Sequence, residues 1–293
     1  NRILLNTAYF KNRSGNQLVG IPLPGTTGFS SILANLDATV ENSGWEFELS
    51  TVNFQNEKFN WSTSLNISFL RNELVSFPDL EGSTYANQYV IGEPLNIRKT
   101  YDFQGVDPET GIFQFTDFNQ DGVYTAQDDR ETFQNLNPSY YGGFQNSIQY
   151  KGLTLDFLFQ FVKQQNYSGQ FLTSFPGAMG NQVPAVLDRW QEPGDQAYYQ
   201  QYTTGYTTDA ILGYLRYNQS NAMITDASYI RLKNIALTYK IPKKWIPGLE
   251  CAITVQGQNV LTFTKYSGFD PESIYTNSVP PLRVFTTGVQ LNF

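Results

Sequence analysis

From Phe59 onward apolar and polar positions alternate without a break: Phe59, Trp61, Thr63, Leu65, Ile67 and Phe69 against Asn60, Ser62, Ser64, Asn66 and Ser68. Successive side chains of a strand point to opposite sides, so this period of two predicts a sheet with one apolar and one small polar face. The segment before it behaves alike, with Trp45, Phe47 and Leu49 opposing Glu46, Glu48 and Ser50, and the short link 55–58 makes the two a hairpin. A second hairpin follows. Ile148 and Tyr150 run into Lys151-Gly152, a two-residue turn whose glycine is expected to take the positive φ, and Leu153, Leu155, Phe157, Phe159 and Phe161 lead out. Pairing Tyr150 with Leu153 sets Ile148 opposite Leu155 and Phe144 opposite Phe159, and leaves Asn146 as the misfit on that face. A third hairpin spans 229–241 and 250–261, with Ile235, Leu237, Tyr239 and Ile241 matching Cys251, Ile253 and Val255. The same parity places Arg231 and Lys233 on this apolar face at its far end, against anionic lipid headgroups or in solvent.

The last segment alternates as well: Phe285, Thr287, Val289, Leu291 and Phe293 on one side, Thr286, Gly288, Gln290 and Asn292 on the other. The spacing of its polar residue, glycine and apolar residues is similar to the terminal signal read by the outer-membrane insertion machinery. Strands are expected at 2–11, 44–54, 59–76, 141–150, 153–162, 229–241, 250–261 and 283–293, with 85–104 either a further hairpin or part of an excursion. Connections alternate between tight and very long, 163–227 being the longest. That is the habit of a transmembrane barrel with short periplasmic turns and long extracellular loops, and compact soluble domains rarely carry such loops. In that frame the first strand runs up, the last runs down, and an excursion occupies 105–136.

Composition strengthens the reading. Charged residues make up 15% of the 293, equal to the aromatics with their 22 Phe and 19 Tyr, against roughly 25% charged in ordinary soluble domains. Asn, Gln, Ser and Thr take their place. No run approaches the ~20 apolar residues of a membrane helix, and a closed barrel is then the remaining way to satisfy every backbone N–H and C=O in lipid. The predicted fold class is all-β: a transmembrane antiparallel β-barrel, of which 1–293 forms the C-terminal portion with about eight to ten strands. A net charge of −7 with 19 scattered Lys and Arg argues against nucleic acid, whose phosphates need clustered cations. The lone Cys251 has no second thiol to pair with and reads as a small apolar strand residue. Asn1 follows no leader and reads as an internal position of a longer precursor.

One segment has metal-ligand spacing. In DFNQDGVYTAQD, Asp117, Asn119 and Asp121 occupy positions one, three and five, Gly122 the sharp turn, Val123 the carbonyl position and Asp128 position twelve. This is a calcium-type loop, in which the shorter Asp128 replaces the usual Glu and Asp129 stands as fallback; the competing reading is a polar turn. Bound Ca2+ would be structural, pinning a loop expected to lack an apolar core. Catalysis is not expected. Histidine is absent, which removes the common nucleophile triads and His-ligated zinc, and Glu46 and Glu48 read as lumen-solvating charges. No Gly-rich phosphate loop links a strand to a helix. The 163–227 loop is unusually aromatic, with Tyr167, Phe171, Phe175, Trp190, Tyr198, Tyr199, Tyr202, Tyr206, Tyr214 and Tyr217. These rings either stack on sugars and grip peptides or pack the loop against its neighbours.

Several blocks in order resemble the C-terminal barrel half of the SusC/RagA family of TonB-dependent outer-membrane transporters of Bacteroidetes. They are PLPGTTGFSSILANLDATVENSGWEFELS at 22–50, WSTSLNISFLRNELVSF at 61–77, DFNQDGVYTAQDDR at 117–130 and NPSYYGGFQNSIQYKGLTLDFLFQF at 137–161. DASYIRLKNIALTYKIP at 226–242 and QNVLTFTKYSGFDPE at 258–272 continue the series to the terminal Phe293. The resemblance implies a barrel of about 22 strands in the outer membrane, of which these are the last eight. It also implies an N-terminal plug domain and a TonB-contacting segment, both expected to lie outside this chain, and a SusD-like surface lipoprotein partner. The implied function is import of oligosaccharides or peptides, with a non-transporting scaffold barrel as the alternative. On this reading Phe293 borders an edge whose partner is the first strand of the missing half.

Overall fold

A computed structural model describes residues 2–168, 174–205, 208–273 and 279–293; Asn1 lies outside them. Three long strands, β1 (Ile3–Pro22), β2 (Ser31–Gln55) and β3 (Phe59–Ser76), open the chain. Four short ones follow: β4 (Ile97–Thr100), β5 (Phe103–Val106), β6 (Phe113–Phe115) and β7 (Thr132–Asn135). After β8 (Tyr140–Tyr150) and β9 (Leu153–Lys163) come the short β10 (Gln165–Tyr167), helix α1 (Thr208–Tyr217) and the short β11 (Ile224–Asp226). The chain finishes with β12 (Tyr229–Lys240), β13 (Glu250–Thr264) and β14 (Val284–Asn292).

The eight long strands pair antiparallel in the order β1-β2-β3-β8-β9-β12-β13-β14, each beside the long strand that precedes it in the chain. All eight match strands expected from alternation, and β1 and β14 form the two edges of the sheet. The first hairpin is longer than its apolar pattern, because the ladder continues from Lys11↔Ser43 to Pro22↔Ser31 past a bulge at Asn16. In its far part the described β1 side chains are largely exposed, so no alternation marks that strand, while β2 buries Ala38 beside Leu74 and Phe77 with Leu36 and Val40 packed against them; Lys11 and Arg13 close on Glu41 at 2.8 and 2.5 Å. Residues 85–104 add no strand to the wall. Their β4 and β5 pair with β7 and β6 in two small separate sheets.

Aromatic rings bracket the apolar face of the wall at two levels. Phe54, Phe59 and Tyr150 are neighbours toward the short turns, with centroids 5.6 and 6.5 Å apart. Phe69, Tyr140 and Phe161 are neighbours toward the long loops, at 5.7 and 6.5 Å. The ten-residue step along β3 from Phe59 to Phe69 is about 33 Å of strand, or about 25 Å of height at a barrel's usual tilt. That is the height of the apolar band of a membrane barrel between its aromatic girdles.

The second hairpin has the expected register, Tyr150↔Leu153, Ile148↔Leu155 and Phe144↔Phe159. Its turn differs from expectation: the positive φ, 53°, falls on Lys151 rather than Gly152. Gly152 is needed for space instead. A Cβ there would sit 2.7 Å from the Lys240 carbonyl oxygen, where Lys240 N–H donates to the Gly152 carbonyl at 2.8 Å across the wall. Asn146, the misfit, is 2% exposed. Its Oδ1 accepts the Trp61 indole N–H at 2.8 Å and the Thr63 hydroxyl at 2.7 Å, so the amide oxygen is satisfied from the neighbouring strand.

The third hairpin carries the main departure. Against both neighbours β12 shifts register between Leu232 and Asn234. Ile230 and Leu232 oppose Phe161 and Phe159 above the shift, while Ile235 and Leu237 oppose Phe157 and Leu155 below it. One extra residue, Lys233, therefore changes the apolar face from even to odd positions. Arg231 is turned to the opposite face, between Gln160 and Thr262, and is 1% exposed. It meets neither lipid headgroups nor solvent.

Candidate functional site

An antiparallel meander sends every second connection to the same end of the wall, so 77–139, 164–228 and 265–283 emerge together. They form a packed assembly. Its centre is an apolar cluster of Tyr101, Phe113, Phe115, Val186, Tyr199, Tyr217 and Met223, drawn from two connections far apart in sequence. Phe113 stacks on Tyr217 with centroids 4.5 Å apart and planes at 11°, and Phe103 meets Tyr217 edge-on at 5.1 Å. Helix α1 buries Ala210, Gly213 and Tyr217, one stripe at helical spacing. A polar seam runs beside it: Asn221 donates to Asp102 at 2.7 Å and accepts the Phe103 N–H at 3.0 Å.

The aromatic residues of 163–227 are partly packed and partly exposed. Tyr199 and Tyr217 are core, and burial pushes both hydroxyls up in pKa. Tyr214 packs edge-on to Phe175, and Trp190 donates its indole N–H to the Pro108 carbonyl at 2.8 Å. Tyr198 and Tyr202 stay exposed, the latter under the Arg189 guanidinium at 3.8 Å. Phe171 and Tyr206 lie outside the described residues.

The assembly is tied to the wall through the buried Arg231. Its guanidinium donates to Asp270 at 2.5 Å, Glu272 at 2.6 Å and the Thr262 hydroxyl at 3.0 Å. Lys233, displaced by the bulge, reaches Glu272 at 2.7 Å. The segment carrying these carboxylates is held in turn by Gln164 and Asn166, whose amides donate to the Pro271 and Ser273 carbonyls at 2.6 Å each. Beside it Lys163 donates to Asp226 at 2.7 Å; this bond, with those from Ser228, lowers the Asp226 pKa to about 2.

The calcium-type loop forms the sharp turn its spacing requires, with Gly122 at φ 79°. Asp117 accepts the Gln120 and Gly122 N–H groups at 2.8 Å each. Asp121 accepts the Val123 N–H at 2.7 Å and the Asn119 amide at 3.0 Å. Asp128 accepts the Thr125 hydroxyl at 2.7 Å. Among the described residues no three Asp, Glu or Cys side chains form a ready-made metal cluster. Two expectations change. Asp129 is fully buried and braces the loop by accepting the Phe118 and Thr125 N–H groups at 2.9 and 2.7 Å. The loop also has an apolar anchor, because Tyr124 packs edge-on to Phe115 at 5.8 Å against the central cluster.

No family model matches the chain. TonB-dependent receptor P3 of Formosa agariphila is 27% identical over 338 aligned positions, which take in 100% of this chain and 32% of that protein. TonB-dependent receptor SusC of Bacteroides thetaiotaomicron is 22% identical over 97% of this chain and 29% of its own length. Among solved structures, the RagAB peptide importer in its closed-closed state superposes with a TM-score of 0.83 at 24% identity, over 100% of this chain and 34% of that one. Over its whole length the chain is similar to a stretch of a SusC/RagA-type TonB-dependent receptor barrel. It spans about a third of the length of the relatives it matches. TonB-dependent receptors are outer-membrane β-barrels, and no helix among the described residues is long and apolar enough to cross a membrane.

Glu46 and Glu48 lie on the face of β2 opposite Trp45 and Phe47. Sequence reading missed a basic cavity beside the central cluster, lined by Arg98, Lys99 and Arg130. Arg98 and Lys99 are adjacent on β4, while Arg130 follows the calcium-type loop; no spacing rule joins them.

Proposed function

We propose that this segment supplies the C-terminal wall and extracellular loops of a TonB-dependent outer-membrane importer for oligosaccharides or peptides, working with a SusD-like surface lipoprotein. The observation that carries the proposal is a fixed, aromatic-cored loop assembly standing over one end of an eight-stranded wall. Such an assembly gives an arriving ligand a preformed surface, and loops held on a rigid scaffold are where binding concentrates. The likeness to the RagAB peptide importer supports import, and the likeness to SusC supports the lipoprotein partner. TonB would act through the N-terminal part of the parent receptor.

The test is uptake by cells carrying the parent gene, with and without its TonB-contacting segment. Import predicts accumulation of labelled oligosaccharide or peptide that disappears with that segment. Surface binding with no TonB-dependent accumulation would favour a scaffold barrel.

We further propose that Asp117, Asn119, Asp121, the Val123 carbonyl and Asp128 hold a structural Ca2+. Support comes from the oxygen spacing together with the turn at Gly122. Titration calorimetry of the full-length receptor is expected to show calcium binding that Asp121→Ala weakens at least tenfold, with slower proteolysis of 105–136 when calcium is present. Absence of heat and an unchanged cleavage rate would end the proposal.

A further inference from the structure

The basic cavity beside β4 has a volume of about 410 Å3 and lies between the small β4–β7 sheet, the end of helix α1 and the 77–96 connection. That volume falls within the range of roughly 300–1,000 Å3 typical of ligand sites. Arg98, Lys99 and Arg130 line it, and no Asp or Glu is among the lining residues. In a chain of net charge −7 this is a local reversal of sign, which concentrates anions.

The cations are held but not neutralised. Arg130 lies over the Tyr101 ring at 5.0 Å and donates to the Gln219 amide oxygen, yet its buried Nε has no hydrogen-bond partner. Lys99 sits 5.9 Å over the Phe133 ring. Rings and an amide orient Arg130 and Lys99 without cancelling their charge, and Arg98 adds an exposed cation at the same cavity, so the unmet electrostatic demand is for an anion. A planar guanidinium suits two-oxygen groups such as carboxylate or sulfate.

The rest of the lining decides what carries the anion. Asn87, Gln88, Asn218 and Gln219 bring amides and Thr100 and Ser220 bring hydroxyls, groups that both donate and accept, as sugar hydroxyls require. One ring, that of Tyr167, is available for stacking, and the apolar lining is limited to Ile97 and Ile224. That is too little to seat the apolar side chains of a peptide. We infer that this cavity is a subsite for an acidic saccharide, gripping a carboxylate or sulfate through Arg98, Lys99 and Arg130 while the amides read the ring hydroxyls. The inference rests on the import reading above and narrows its substrate class to anionic oligosaccharides.

Binding by the detergent-purified full-length receptor tests this without TonB, so it succeeds or fails separately from import. The probes are trigalacturonic acid, a sulfated galactose trisaccharide, neutral maltotriose and triglutamate. At least one acidic saccharide should bind, more weakly as salt rises, and the better binder identifies the anion. Maltotriose and triglutamate should bind at least tenfold more weakly than that probe. Arg98→Gln and Arg130→Gln should each reduce its affinity about tenfold, the loss expected for a charge-assisted hydrogen bond. Arg130→Lys should lose less, and all variants should keep the wild-type melting temperature. Three results would each overturn the inference: neither acidic saccharide binds, the glutamine variants bind as well as wild type, or triglutamate binds as tightly as the saccharides.

Discussion

Asp270→Ala in the full-length receptor is expected to destabilise the junction between the loop assembly and the wall by about 3–5 kcal/mol, the usual cost of stripping the partner from a buried charge. Arg231 is 1% exposed and Asp270 7%, so water cannot take over the lost contact. Glu272 still reaches the guanidinium at 2.6 Å but is 37% exposed, which places the loss toward the lower end. The double variant Arg231→Met with Asp270→Ala removes both charges and should recover most of the loss, since replacing a buried pair by apolar groups is often neutral. A double-mutant cycle on thermal unfolding, with hydrogen exchange of 265–273 as the local readout, checks both statements. An Asp270→Ala protein that melts and exchanges like wild type would show the clamp to be idle.

Tyr217→Ala should loosen the loop assembly while leaving the wall folded. The ring is 1% exposed and touches Phe113, Phe103 and Tyr199, so it joins the 97–135 and 183–226 connections. Truncating a buried aromatic of this size costs about 3–5 kcal/mol, and an assembly with so small a core has little else to hold it. Proteolysis should then cut within both connections, whereas the barrel should keep its resistance to unfolding by detergent. Cleavage confined to 183–226 would mean that the two connections fold independently.

The wall was legible because a strand with one apolar and one polar face leaves a period of two in the sequence, clearest along β3, β9 and β14. What escaped was the outer part of the first hairpin, where β1 along Lys11–Pro22 is held by its ladder and by Lys11 and Arg13 on Glu41 rather than by an apolar face of its own. Also hidden was the bulge at Lys233, a single residue that reverses parity and takes Arg231 out of the apolar face. Simple alternation cannot reveal this, although Ile230 and Leu232 on the even positions beside Ile235 and Leu237 on the odd ones are its trace. The aromatic loop could be read only as two alternatives, since a ring that packs and a ring that stacks on ligand have the same composition. Spacing alone offers Asp129 as a spare ligand, because a carboxylate that braces two backbone N–H groups cannot be told by spacing from one that waits for a metal. The basic cavity joins residues about thirty positions apart through the β4–β7 pairing, a contact that belongs to tertiary structure.

The central claim is that this segment is a membrane wall whose apolar face switches parity at Lys233, and a single-tryptophan scan of 229–239 in the full-length receptor tests it most directly. Reconstituted in bilayers of brominated lipid, tryptophans at 230, 232, 235, 237 and 239 should be strongly quenched, and those at 229, 231 and 236 should not. Quenching that instead followed 231, 233, 235, 237 and 239 would contradict the bulge and the buried clamp. Quenching at none of these positions would contradict the wall itself.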